Sequence, residues 1–262
     1  MGTSESFARH ATPAASAAPL LTVERASKHR RSGRRVEAVL DAISFDLGRD
    51  EYVGLRGPRR SGKTTLLRIA AGIELPDSGA VTWCGRPVAE LPRRERTRRL
   101  REIAFVAQTQ AWRAAPGKPM LDHIALPLLI TGTPVSEALS KAREAAVQVA
   151  AEAFVDAAPH ELPPDALTRL ALARALVRDP RLLIVDDPGG GSSDAEQQAL
   201  RTLLVSLARG RRGMALLVGS REVTMLRGAD RIMSLDGSGQ LRVPERTTGR
   251  VVPFPTVEES SE

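Results

Sequence analysis

Short apolar runs alternate with amphipathic segments over most of this 262-residue chain. Mostly apolar runs at residues 52–55, 182–185 and 214–218 predict buried strands, because each is bounded by polar or small residues. Other segments carry apolar positions at helical spacing, as at residues 66–71 and 194–209. Apolar strands that alternate with helices predict a parallel sheet that is covered on both faces.

Two regions depart from this alternation. Residues 21–25 and 36–47 predict strands joined by a basic turn at residues 29–35, so a β-rich unit precedes the sheet. Residues 121–130 and 135–155 carry helical spacing, with Pro and Gly between them. The second region therefore indicates a helical subdomain that is inserted into the core.

The expected fold class is α/β, with a mostly parallel sheet, an N-terminal antiparallel β subdomain and a helical subdomain at about residues 109–178. Residues 1–20 are rich in Ala, Ser, Thr and Pro, which is typical of a disordered leader. Residues 243–262 contain Pro, Ser and Glu, and we expect a flexible acidic tail there. The ordered domain should therefore span residues 21–242.

Composition narrows the possible environments. Cys84 is the only cysteine, so one chain forms no disulfide and no cysteine-based zinc site, which suits a reducing cytosol. The apolar stretches are too short to span a bilayer, so membrane association is expected to require a partner. The net charge of +7 rests on arginine, since only four lysines occur. This charge fits a solvated basic surface as well as it fits binding to nucleic acid or anionic lipid.

A phosphate-binding pattern, G-x-x-x-x-G-K-[ST], follows the strand at residues 52–55. It is carried by Gly57-Pro58-Arg59-Arg60-Ser61-Gly62-Lys63-Thr64-Thr65, and a helical pattern follows directly. The glycines let backbone N–H groups wrap phosphate oxygens, and the helix adds its N-terminal dipole. Lys63 is expected to reach the β- and γ-phosphates, and the Thr64 hydroxyl is expected to ligate Mg²⁺. The setting predicts a P-loop NTPase core that binds a nucleotide with Mg²⁺.

Two polar side chains at predicted strand ends extend this site. Asp186 follows the run at residues 182–185, and a parallel sheet places such a carboxylate beside the phosphate loop, where it can hold Mg²⁺. Gln108 follows a strand-like run at residues 103–107, where it can orient water or contact Mg²⁺. The predicted metal site therefore consists of Thr64, Gln108 and Asp186.

In this order, the motifs resemble the ATP-binding subunit of ABC transporters over about residues 20–242. Residues 57–64 are similar to the Walker A motif and Gln108 to the Q-loop, and residues 180–188 are similar to the Walker B strand. The run Leu126-Pro127-Leu128-Leu129-Ile130 is similar to the lipoprotein-release and macrolide-export branch. The resemblance implies two subunits that sandwich two ATP molecules, each between one Walker A loop and the other subunit's signature loop, and that drive a membrane permease.

The signature loop departs from the family pattern. The family sequence L-S-G-G-[EQ] is replaced by Leu162-Pro163-Pro164-Asp165-Ala166, ahead of a predicted helix at residues 166–177. Pro163 and Pro164 have no N–H to donate, and Asp165 brings a negative charge toward phosphate oxygens. We expect this loop to recognise a γ-phosphate weakly or not at all.

Two catalytic positions of the family also differ. Asp187 stands where the family has a glutamate that polarises water, and its shorter side chain predicts slow catalysis. The switch histidine is expected after the strand at residues 214–218, and Ser220 stands there, while all four histidines lie upstream of Asp186. Arg30 is closest to the position of the usual adenine-stacking aromatic, and its guanidinium can stack instead.

Three functions stay open on these residues. The chain is a working transport ATPase subunit, a catalytically deficient regulatory subunit, or a soluble non-transport protein of this type that acts on nucleic acid. The third ranks last, and no specific nucleic-acid partner is expected. The implied partners are a membrane permease and a second ATP-binding subunit, identical or different. The implied location is the cytoplasmic face of the cell membrane, which the chain reaches through the permease.

Overall fold

The computed structural model describes residues 18–33, 35–108, 112, 117–189 and 193–244. The predicted leader and tail lie almost entirely outside these residues. Leu20, which the prediction assigned to the leader, is fully buried, and its N–H donates to the Leu47 carbonyl at 2.8 Å.

Ten strands and six α-helices occur within the described residues. The strands are β1 (Leu21–Ser32), β2 (Arg35–Leu47), β3 (Tyr52–Arg56), β4 (Ser78–Trp83), β5 (Arg86–Pro87), β6 (Ile103–Val106), β7 (Leu182–Asp186), β8 (Ala215–Ser220), β9 (Arg231–Leu235) and β10 (Leu241–Arg242). The helices are α1 (Lys63–Ala70), α2 (Arg93–Leu100), α3 (Met120–Leu129), α4 (Val135–Gln148), α5 (Pro164–Leu176) and α6 (Asp194–Gly210). Short 3₁₀ turns lie at Glu152–Phe154, Pro159–Glu161 and Val223–Leu226.

The larger sheet has six strands in the order β10-β9-β3-β8-β7-β6. All neighbouring strands pair in parallel, except β10 with β9. The C-terminal ends of the parallel strands therefore meet at one edge of the sheet. Strand β8 lies between β3, which leads into the phosphate loop, and β7, which ends at Asp186.

Both faces of this sheet are covered, which explains its continuous apolar strands. Leu183 and Val185 of β7 point into a core shared with α3–α6, while Leu182 and Ile184 point into a second core with α1 and the smaller sheet. All residues of β7 and β8 are buried. Because side chains alternate between the two faces, successive positions over residues 182–185 and 215–218 are all apolar.

The smaller sheet is antiparallel, in the order β2-β1-β4-β5. The predicted basic turn at residues 29–35 is wrong at its start, because Arg30 continues β1 and pairs with Glu37 of β2. The chain reverses at Gly33, which has a φ of 60°. Arg30 and Glu37 are exposed, so this part of the hairpin carries no apolar pattern from which a strand is predicted.

The helices between β6 and β7 pack against one another. These are α3, α4 and α5, and their cores consist mainly of alanine and leucine. The helix predicted over residues 135–155 is too long, since α4 ends at Gln148 and Ala150 takes a φ of 53°. Helix α2 was not predicted, since its single apolar residue, Leu100, gives no periodicity.

The architecture confirms the predicted fold class, with an antiparallel N-terminal sheet and a mostly parallel sheet. Among the described residues, no helix combines the length and the apolar character that crossing a membrane requires.

Candidate nucleotide-binding site

The phosphate loop joins β3 to α1, and two glycines shape it. A Cβ on Gly57 would lie 2.6 Å from the Leu235 carbonyl oxygen and 2.7 Å from Ser61 Oγ. Gly62 is the N-cap of α1 with a φ of 94°, and a Cβ there would lie 2.8 Å from the Val39 carbonyl oxygen. Neither position has room for a side chain, so glycine is what lets the backbone close tightly ahead of the helix.

The remaining loop residues lie at its exposed tip or in the first helical turn. Pro58, Arg59 and Arg60 are exposed, and Thr65 is half-buried in α1. Arg60 has a φ of 63°, a left-handed conformation that costs a non-glycine residue about 1–2 kcal/mol. The loop therefore places two positively charged residues at its tip, and Arg60 is the strained one.

Groups inside the loop fit an anion. Lys63 is 7% exposed, and its Nζ donates to the carbonyl oxygens of Gly57 at 2.6 Å and Pro58 at 2.9 Å. Burial lowers the pKa of Lys63. Ser61 Oγ is buried without a hydrogen-bond partner among the described residues. A buried cation and an unsatisfied hydroxyl at a helix N-terminus are the donor set that phosphate oxygens accept from.

Two of the three predicted metal ligands, Thr64 and Asp186, meet at the first turn of α1, whereas Gln108 contacts Asp187. Thr64 Oγ1 donates to Asp186 Oδ2 at 2.8 Å. Asp186 is 3% exposed, and burial is the main cause that raises its pKa. A hydroxyl and a carboxylate are hard oxygen donors, so this pair fits Mg²⁺, which takes further ligands from phosphate and water. Within the described residues, no cluster of three or more His, Cys, Asp or Glu side chains forms a separate metal site.

One carboxylate oxygen of Asp187 makes contact with two neighbouring side chains. Its Oδ2 accepts a hydrogen bond from Gln108 Nε2 at 3.0 Å and lies 3.4 Å from Arg221 Nε in an ion pair. Its backbone N–H donates to the Gly219 carbonyl at 2.8 Å, and its φ is 46°. The structure therefore brings Gln108 to Asp187, and the Thr64–Asp186 pair lies beside them.

Arg221 was not predicted as a site residue. Ser220 was expected at the switch-histidine position, after a strand that ended at residue 218, but Ser220 is 2% exposed, and its Oγ accepts a hydrogen bond from Glu222 N–H at 3.1 Å. Strand β8 runs two residues further than predicted, to Ser220, so the next side chain is the one that reaches the site. A charged residue directly after a buried strand beside the phosphate loop was the available signal.

The N-terminus of α5 has the form expected from its prolines. Pro163 is the N-cap and Pro164 the first helical residue, and Asp165 lies half-buried in the first turn. As the N-cap residue, Pro163 makes no side-chain hydrogen bond to the helix. The first N–H of the helix therefore belongs to Asp165, next to a carboxylate, which is unfavourable for an approaching anion.

The glycine-rich loop before α6 lies partly outside the described residues, at residues 190–192. Its last residue, Ser193, begins α6 with a capping box, in which the Ser193 N–H donates to Glu196 Oε2 at 2.7 Å. The Ser193 hydroxyl also donates to Glu196 Oε2, at 2.7 Å. The Ser193–Glu196 contacts hold this N-terminus, and Asp194 follows in the first turn.

Comparison with known proteins agrees with this arrangement. The family model described as ABC transporter matches residues 40–190, a segment that includes the phosphate loop, Gln108, the α5 N-terminus and both strand-end aspartates. The chain belongs to the ABC transporter family.

The relatives of this ABC protein are ATP-binding subunits. The lipoprotein-releasing system ATP-binding protein LolD of Chromohalobacter salexigens is 34% identical over 218 residues, which cover 83% of this chain and 91% of that protein. The LolD 2 protein of Caulobacter vibrioides is 34% identical over 206 residues, covering 78% and 89%. These findings confirm the resemblance to the lipoprotein-release branch.

A solved structure shows the same fold. The bacterial ABC transporter cassette MJ0796, solved as a dimer, matches with a TM-score of 0.75 at 23% identity, over 85% of this chain and 98% of that one. At this level of identity, the likeness concerns the fold.

Proposed function

We propose that this chain is an ABC transporter subunit that binds Mg-ATP, couples it to a membrane permease and hydrolyses it slowly. In this proposal, residues 57–65 and Gln108 hold the nucleotide, while Thr64, Gln108 and Asp186 hold Mg²⁺. The bound Mg²⁺ would neutralise phosphate charge. Lys63 and the N-terminus of α1 bind the phosphates, and Asp187 is the residue nearest to a catalytic role.

The contacts of Asp187 carry the proposal of slow hydrolysis. A general base must be free to accept a proton from water. Both Gln108 and Arg221 approach the same Asp187 oxygen, at 3.0 Å and 3.4 Å, so that oxygen is already engaged. The Asp187 side chain is also shorter than glutamate. Together these features favour tight binding over fast turnover.

The comparisons support the rest of the proposal. The relatives named above belong to a lipoprotein-releasing system, and the solved cassette is a dimer. We infer that this chain pairs with a second ATP-binding subunit and a permease at the cytoplasmic face of the cell membrane. We also propose the domain division given by the sequence: a leader at 1–20, the ATP-binding domain at 21–242 with its helical subdomain at 109–178, and a tail at 243–262.

A regulatory subunit without useful hydrolysis is the second candidate. The N-terminus of α5 favours it, because Pro163 and Pro164 remove the donors that would face the γ-phosphate of a partner site, and Asp165 adds a negative charge. A homodimer would carry this change in both sites. A dimer with a normal partner would carry it in one site and the Asp187 change in the other.

Binding and turnover by the purified full chain test the proposal. We expect calorimetry to show ATP binding that Lys63→Ala weakens at least about tenfold, because a buried charge-assisted contact is lost. Lys141→Ala changes an exposed lysine and is the matched control, which should bind ATP with the affinity of the wild-type chain. The expected turnover is about 0.1 per second or less, roughly 100-fold below a typical enzyme. Turnover of about 10 per second would contradict slow hydrolysis, and co-purification with a permease tests the transport role.

A further inference from the structure

Arg221 lies at the sheet edge where the end of β8, the phosphate loop and the strand-end aspartates come together. Arg221 follows β8, which pairs with β3 on one side and β7 on the other. Arg56 is opposite Ser220, and Asp186 is opposite Gly219 in this register. Because the phosphate loop follows β3 and Asp187 follows β7, the residue after β8 lies between the loop and the carboxylates.

Two cations therefore share this edge of the sheet. Lys63 is buried in the loop, and burial is the main cause that lowers its pKa. The positive charge of Arg221 lowers this pKa further. Asp186 and Asp187 act in the opposite direction on Lys63. A second positive charge beside the phosphate loop is unfavourable to the lysine and favourable to a polyanion bound between them.

Asp187 holds the Arg221 side chain through one edge of the guanidinium. The contact is made by Nε at 3.4 Å, and arginine has five N–H donors. Arg221 is 38% exposed, whereas Asp187 is 13% exposed, so the arginine head is the accessible member of the pair. As an exposed ion pair it would add little to stability. Its position at the strand end is better explained by a ligand.

We propose that Arg221 binds the terminal phosphate of ATP and that Asp187 positions it for this contact. The inference rests on the proposed nucleotide site. It assigns Asp187 the task of holding a guanidinium, not of activating water.

Affinity for ATP and ADP in parallel tests the assignment. Calorimetric titrations would compare the full wild-type chain with Arg221→Gln, Arg221→Lys and the control Arg227→Gln, an exposed arginine on the neighbouring turn. We expect Arg221→Gln to weaken ATP about tenfold and ADP less than twofold, because only ATP carries the phosphate concerned. Arg221→Lys should keep part of the preference for ATP, and Arg227→Gln should change neither affinity.

Each other outcome has a separate meaning. Arg221→Gln with unchanged ATP affinity, or with equal losses for ATP and ADP, overturns the assignment of Arg221 and leaves the nucleotide site in place. A wild-type chain that binds neither nucleotide overturns the proposed function itself. Thermal unfolding of each variant without nucleotide provides the folding check, and we expect little change because the ion pair is partly exposed.

Discussion

At the scale of single residues, the site keeps polar groups where burial makes them costly. Ser61 Oγ has no partner among the described residues, Lys63 is satisfied by two carbonyl groups, and Asp186 is almost fully buried. Such groups reduce the stability of the free protein, because a desolvated hydroxyl or charge loses its interaction with water. Their placement is explained by a ligand that supplies the missing interactions.

Asp186→Asn should therefore stabilise the nucleotide-free protein. The folded state raises the pKa of Asp186, mainly by burial, so folding favours the protonated carboxyl. The ionised carboxylate opposes folding increasingly as the pH rises above about 4. We expect the variant to gain about 1 kcal/mol in urea unfolding near pH 7.5, and the gain to shrink toward pH 4.

The same variant should lose the Mg²⁺ dependence of ATP binding, since an amide is a poorer ligand than a carboxylate. Asp156→Asn, at an exposed aspartate, is the control and should show no gain that depends on pH. If Asp186→Asn were less stable than the wild-type chain at neutral pH, that result would contradict the interpretation that the ionised Asp186 carboxylate opposes folding.

At the scale of secondary-structure elements, the strand–loop–helix unit follows from the sequence, but its charge and strain do not. The glycines of the phosphate loop, the buried β3 and the onset of α1 were all predicted from residues 52–71. The left-handed conformation of Arg60 was not, because arginine seldom adopts it. A pattern gives the path of the chain, whereas the strain at one residue depends on the packing around it.

Arg60→Gly tests that strain against a matched variant one residue away. Glycine relieves the left-handed conformation at Arg60, whereas Arg59 has no positive φ to relieve. Each variant removes one exposed arginine and adds the same flexibility to the unfolded chain. We expect Arg60→Gly to be about 1 kcal/mol more stable than Arg59→Gly in urea unfolding. Equal stabilities would show that the loop holds Arg60 without strain.

Other elements show where sequence patterns lose information. Strands β7 and β8 were predicted because they are buried on both faces and are apolar over residues 182–185 and 215–218. The end of β1 was missed because exposed arginines pair there without any apolar signal. Arg221 was missed for a related reason, since two extra residues of β8 moved the site-facing position past Ser220. The apolar pattern of the sequence predicts well which strand residues are buried. The register at the end of a strand depends instead on its pairing with the neighbouring strands.

At the scale of the whole molecule, the changes to the site fall on two separate surfaces. Asp187 and Arg221 lie beside the phosphate loop of their own chain. The prolines at Pro163 and Pro164 lie at the start of α5, which packs with the helices between β6 and β7. In the proposed dimer, these surfaces contribute to different ATP sites. The defects can therefore be separated by mixing two variants of the same chain.

One variant would carry Asp187→Glu with Arg221→His, and the other Pro163→Ser, Pro164→Gly and Asp165→Gly. The histidine is introduced at position 221 and not at position 220, because Ser220 is buried and its Oγ accepts a hydrogen bond from the Glu222 N–H. Each variant alone repairs half of both sites, whereas a mixed dimer contains one fully repaired site. We expect steady-state ATP hydrolysis by an equal mixture to be at least about tenfold faster than by either variant alone, since a restored general base contributes at least that much.

The way in which the hydrolysis rate depends on the ratio of the two variants makes this experiment decisive. The rate should peak at equal amounts of the two proteins, and adding Lys63→Ala to the first variant should abolish the gain, because its own phosphate loop holds the ATP that is hydrolysed. Fast hydrolysis by the first variant alone would show that the prolines of α5 do not impair the opposite site. A mixture no faster than its components would show that the two surfaces do not meet across a dimer, and the chain would then act on ATP only with a different partner subunit.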